Sequence, residues 1–165
     1  MADANAALKT PTDLNRNDTK TVAQALNGIL ADSYALYFKT KNFHWHVSGP
    51  HFRDYHLLLD DQAAQILATT DVIAERVRKT GNATLGSVGD ISRHQTIKDN
   101  DKDFVAPEEM LAELRDDNLK LIALLREAKE IVDEAKDNAT SGILDEWTDQ
   151  AEERAWFLFE TTRKG

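Results

Sequence analysis

The chain contains no cysteine. Disulfides, thiolate metal sites and cysteine nucleophiles are therefore excluded, and nothing in the composition asks for an oxidising compartment. Three prolines and seven glycines are few for 165 residues, a scarcity that favours long helices over many short strands. Long apolar runs are also missing. Stretches such as "YALYF" and "LIALL" reach five residues, far short of a membrane span. The opening "MADANAALKTPTDL" has neither a basic start nor an apolar core, so no secretory signal is expected and the cytoplasm is the expected location. Positive charge is outweighed: 20 Lys and Arg face 29 Asp and Glu, for a net charge of −9. That balance argues against a sequence-independent grip on nucleic acid. It leaves two readings, a solvated acidic surface or an acidic path that concentrates cations.

What is present is the raw material of one helical domain. Hydrophobic residues make up 41% and charged residues 30%, the composition of a globular chain able to bury a core. Residues 1–17 are polar and without periodicity, and are expected as a flexible tail ahead of a single domain over 18–165. From Thr19, with Asp18 as the expected cap, Val22, Leu26, Ile29, Leu30, Tyr37 and Phe38 recur at helical spacing up to the "SGP" turn after Val47. A second helix is expected from about Phe52 to Lys79, ended by "TGN".

The following stretch, "NATLGSVGDISRHQTIKDNDKDFVA", has room for one short helix near Ile91 to Ile97. Pro107 then opens a third long helix, with Met110, Leu114, Leu121, Leu125, Ala128 and Val132 in its apolar row. "DNATSG" is expected to break it, and a fourth helix carries Ile143, Leu144, Trp147, Ala151, Phe157 and Leu158. The fold class is therefore all-α. Four long helices with a long second connection are what a ferritin-like four-helix bundle requires, the crossover joining parallel helices two and three and carrying the short extra helix.

Four of the five histidines fall within thirteen positions, in "FHWHVSGPHFRDYH", followed by "LLLDD". Imidazole and carboxylate without sulfur suit iron, zinc or manganese. On the second helix, His56, Asp60, Asp71 and Glu75 lie at roughly 0°, 40°, 60° and 100° around the axis, one stripe. Each i,i+4 pair, His56 with Asp60 and Asp71 with Glu75, could meet one ion; a solvated acidic face is the plainer reading. Asp60 and Asp71, however, are about 16 Å apart along the helix, too far for ligand bonds about 2 Å long. The pairs serve separate sites, or a second copy packed antiparallel about a two-fold axis near Gln65 or Ile66 brings them together. His44, at the end of the first helix, can reach His56 and Asp60. His46 and His51 fall on less favourable faces and are expected at the surface. No Glu is followed three residues later by His, which excludes the Glu-x-x-His site found inside a single bundle.

These residues carry a family resemblance. "HWHVSGPHF", His56, "LLLDD" and "DVIAERVRKTGNATLG" resemble the Dps mini-ferritins (DNA-binding proteins from starved cells), and the likeness runs from about Val22 into "AWFLFE". It implies a hollow homododecamer that takes up Fe(II), oxidises it with hydrogen peroxide and stores ferric mineral. Two irons per inter-subunit site are implied, one on Asp71, Glu75 and the two-fold mate's His44, the other more weakly on His56 and Asp60. Trp45 is implied either as an electron relay or as an interface aromatic. Two departures stand out. The lysine-rich tail that many members use on DNA is absent: Lys9, Arg16 and Lys20 balance Asp3, Asp13 and Asp18, so direct DNA binding is not expected. DNA compaction remains the alternative function. In the stretch matching the family's acidic pore, Gly142 stands where relatives carry Asp, leaving Asp137, Asp145, Glu146 and Asp149 either to draw in cations or simply to solvate a helix start.

Overall fold

The computed structural model describes residues 4–163 of the chain. Six helices are formed in it: α1 (Ala4–Ala7), α2 (Arg16–His46), α3 (Phe52–Lys79), α4 (Val88–His94), α5 (Pro107–Glu134) and α6 (Asn138–Thr162). No strand occurs among the described residues, and no helix among them is long and apolar enough to cross a membrane.

Helix directions follow from side-chain contacts. The short turns after α2 and α5 fold each helix back on itself, so α2 pairs with α3 and α5 with α6. On the α2–α5 face, Lys39 meets Asp117 while Gln24 and Gly28 line a cleft with Glu127 and Ile131, so these two run antiparallel. Helices α3 and α5 are then parallel, and only a crossover can join them. The 27 residues between Lys79 and Pro107, with α4 among them, provide it.

Seven-residue spacing builds the core. Leu59, Ile66 and Ile73 on α3, and Leu144, Ala151 and Leu158 on α6, are almost fully buried, successive positions on one helix face. They meet Leu26, Leu30, Leu36 and Phe43 of α2 and Leu111, Leu114, Leu125 and Val132 of α5. Each of these side chains other than Ala151 contributes on the order of 2 kcal/mol by leaving water. Two residues expected in these rows face outward instead. Phe38 lies about 200° around the axis from Leu36 and Phe157 about 220° from Leu144, and both are exposed.

Helix ends depart from the sequence expectation for local reasons. Asn15, not Asp18, caps α2, its Oδ1 accepting from the amides of Asn17 (2.8 Å) and Asp18 (3.4 Å). Upstream, the Thr10 hydroxyl donates to the Arg78 carbonyl (3.0 Å), and Arg78 in turn donates to the Leu8 carbonyl (3.3 Å). Helix α4 begins earlier than Ile91 because the Ser87 hydroxyl caps the Asp90 amide. It ends before Ile97 because Asp32 captures the next donors. That carboxylate is completely buried on α2 and accepts from Thr96 N (2.6 Å), Ile97 N (2.9 Å) and the Thr96 hydroxyl (2.7 Å). The crossover is thereby pinned to the bundle. Finally, "NATSG" belongs to α6 rather than to the break. The chain reverses at Lys136, whose φ is +59°, and Asp137 caps the helix that follows.

Candidate metal centre

The tight turn after α2 sets its last turn opposite the first turn of α3, with Gly49 at φ +101° making the reversal. His44 and His56 face each other across it, rings stacked with centroids 3.8 Å apart and planes 19° apart. His44 Nδ1 donates to the His56 carbonyl (2.7 Å), and His56 Nδ1 donates to the His44 carbonyl (2.8 Å). A carbonyl only accepts, so each Nδ1 carries a proton, and in the neutral ring the lone pair then lies on Nε2. The second bond also gives a partner to one of the carbonyls that a helix C-terminus leaves unpaired. Oriented in this way, the two rings present Nε2 as the nitrogen available to a metal, since the hydrogen bond at one nitrogen sets what the other can do.

One turn further along α3, Asp60 places Oδ1 3.8 Å from His44 Nε2. Two ligand bonds of about 2 Å could span that gap through one ion. The same oxygen accepts from Lys41 Nζ at 2.7 Å. That hydrogen bond holds the Asp60 carboxyl below the usual carboxylate range, outweighing the opposing effect of desolvation. Asp71 and Glu75 lie near the other end of the same face, both exposed, with Lys79 Nζ 3.6 Å from Glu75 Oε2. Between and beside the pairs, Leu57, Leu67 and Val72 are left uncovered on α3.

The folded chain thus brings His44, His56 and Asp60 together and leaves Asp71 and Glu75 apart from them. Among the described residues, no three His, Cys, Asp or Glu side chains of one chain are placed to hold a metal ion. His46 is exposed and donates to the Asn42 carbonyl of its own helix (2.8 Å), while the exposed His51 leans on Tyr55 at 5.6 Å between ring centroids. Trp45 is 55% exposed and meets Phe38 edge-on at 6.1 Å. Sequence reasoning missed Lys41. Its spacing of three from His44 was the available signal, but the approach to Asp60 depends on the register of the turn.

At the start of α6, Asp137 differs from the three acidic residues that follow it. Asp137 is buried and accepts from the Thr140 amide and hydroxyl and from Arg76 Nη2 (2.8 Å). It is a structural cap tying α3 to α6, not a lining residue for cations. Asp145, Glu146 and Asp149 remain exposed, with Asp145 3.4 Å from Lys129. Burial would push the Asp137 carboxyl up, but the Thr140 donors and the Arg76 guanidinium outweigh it and hold it below its ordinary value. A depressed carboxyl stabilises the fold above its unfolded pKa, and that contribution fades as pH falls through the lower folded value. Asp137→Asn should therefore lose about 1–3 kcal/mol at pH 7. Its deficit against wild type, read from denaturant midpoints, should shrink below about pH 4; a deficit independent of pH would contradict this assignment.

Comparison with known proteins adds family context. The ferritin-like domain profile matches residues 23–164. A low temperature-induced protein of Nostoc sp. is 38% identical over 138 residues, 83% of this chain and 77% of that one. A DNA protection during starvation protein of Agrobacterium fabrum is 33% identical over 150 residues, 91% of this chain and 93% of its own. In structure, DpsC from Streptomyces coelicolor superposes with a TM-score of 0.92 at 27% identity, covering 95% of this chain and 92% of that one.

Proposed function

The chain belongs to the Dps family of ferritin-like proteins, and on that premise we propose that it is a ferroxidase and iron-storage protein. It takes Fe(II) as substrate, oxidises it with hydrogen peroxide at sites shared between two subunits, and keeps the ferric product inside a hollow homododecamer. The observation that carries this reading is the divided ligand set. One end of α3 presents His56 and Asp60 beside His44 of α2, with both Nδ1 atoms donating to carbonyls, and the other end presents Asp71 and Glu75.

Two copies of α3 packed antiparallel would bring Asp71 and Glu75 of one subunit to His44, His56 and Asp60 of its mate, twice per interface. The exposed Leu57, Leu67 and Val72 would be covered by the same contact. Carboxylates favour Fe(III) over Fe(II), because hard anionic oxygen gains more from the higher charge. With two irons side by side, one peroxide takes two electrons and two protons and leaves as two waters. No single-electron step then releases hydroxyl radical. Chemical protection of DNA would follow without any contact to it, in keeping with the neutral tail.

The test is direct. The assembled protein is loaded with Fe(II) under anaerobic conditions and given peroxide, and ferric absorbance and peroxide consumption are followed together. We expect a rate well above buffer and one peroxide consumed for two irons oxidised. No acceleration over buffer would sink the ferroxidase reading.

A further inference from the structure

Arg154 plays no part in the reading above, yet it carries a positive charge inside the bundle: it is 4% exposed, midway along α6. Its Nε donates to Asn118 Oδ1 of α5 (2.8 Å) and its Nη1 to Gln65 Oε1 of α3 (2.7 Å). Both acceptors are neutral amides, and the Asn118 nitrogen is held in turn by the Leu114 carbonyl (2.8 Å). Neither bond engages Nη2. No carboxylate pairs with the guanidinium among the described residues, and the one acidic influence on it is the exposed Glu153 beside it in the chain. Burial pulls Arg154 down to about 10, still far enough above neutrality that the charge stays. A buried charge with no opposite charge beside it is costly.

The guanidinium borders a cavity of about 10 Å³ between the four long helices, room for one water or one small ion. Apart from Arg154, its polar walls are Ser33 of α2, Thr69 of α3 and Trp147 of α6. The Thr69 hydroxyl is occupied, donating to the Ile66 carbonyl (2.8 Å). What remains is a guanidinium, an indole N–H and one hydroxyl, and the first two can only donate. A water in such a place lacks acceptors for its own hydrogens. An anion needs donors alone, and it brings the charge that Arg154 is missing. We propose that the bundle interior binds one small monovalent anion, of halide size, against Arg154, with Ser33 and Trp147 as its other donors. This does not rest on the ferroxidase reading, because the cavity meets α3 at Ile66 and Ile73, the face opposite the proposed iron ligands.

Bromide tests it directly through its anomalous scattering. Protein is disassembled and reassembled in bromide, crystallised, and its anomalous density mapped. One peak beside Arg154 in every protomer is expected; an empty cavity, or density without an anomalous signal, would overturn the proposal. Stability gives a second reading, with chloride raised from below millimolar against methanesulfonate at fixed ionic strength. The wild-type denaturant midpoint should climb with chloride, the folded-to-unfolded ratio rising about tenfold per tenfold of chloride once the site is half filled. Ser33→Ala removes one donor and little volume, and should need about tenfold more chloride for the same gain. Arg154→Met should show no chloride dependence at whatever stability it retains. A wild type indifferent to chloride, or a Ser33→Ala protein that responds as wild type does, would count equally against an anion at this place.

Discussion

Dodecamers of Asp71→Ala and of His44→Ala are each expected to oxidise Fe(II) with peroxide at least about 100-fold more slowly than wild type, since loss of even an outer partner of a metal ligand costs about 10–100-fold. Both side chains are reached without disturbing the core: Asp71 is exposed, and His44 lies at the end of α2 with its ring against that of His56. The informative step is to mix the two defective proteins by disassembly and reassembly. If the ligands come from two chains, a mixed interface holds one site with an intact His44 and an intact Asp71, and one with neither. Random mixing makes half of the interfaces mixed, so activity should return to about one quarter of wild type. If all ligands belonged to one chain, mixing would restore nothing. Rates measured before and after reassembly, on particles of matched size, separate the two cases.

The spacing of the proposed ligands was legible because it is arithmetic along one helix. His56, Asp60, Asp71 and Glu75 are fixed by the helical repeat, and the same repeat marks Leu59, Ile66 and Ile73 as the opposite, buried face. The crossover was legible as well, since Gly, Asn and Asp accumulate where the periodicity stops. What the sequence did not reveal depends on contacts between elements far apart in the chain. Asp32 reads as an ordinary polar position in a helix, but it is buried and decides where α4 ends by accepting from Thr96 and Ile97. Asp137 reads as part of an acidic run, but it is consumed by Thr140 and Arg76. Lys41 reads as a solvated lysine until the turn at Gly49 brings α3 beside it. In each case a partner at long sequence distance gives one charged side chain a role that its neighbours in the chain do not mark.

The largest expected loss of stability lies in the same category. Lys39 is buried on α2, its ammonium 2.6 Å from Asp117 Oδ2 and 2.9 Å from Glu113 Oε1, and Asn100 of the crossover donates to the other Glu113 oxygen at 2.8 Å. Lys39→Ala would leave the Asp117 carboxylate buried, with only the exposed Lys120 at 3.9 Å as a cationic neighbour. Breaking a buried pair from one side costs about 3–5 kcal/mol, whereas replacing both partners by apolar groups of similar size is often neutral. The double substitution Lys39→Met with Asp117→Leu should therefore recover most of what Lys39→Ala loses. The pH dependence gives an independent check. Burial already raises the Asp117 carboxyl above its ordinary value, against the opposing pull of Lys39, and removing Lys39 raises it further. A raised carboxyl makes the native state the tighter proton binder, so its penalty is greatest at neutral pH and disappears as pH falls through the folded value. Asp137 titrates in both proteins and cancels in their difference. Denaturant midpoints of wild type and Lys39→Ala should accordingly lie far apart at pH 7 and converge on acidification; a constant gap would mean that Lys39 acts through packing rather than through the charge of Asp117.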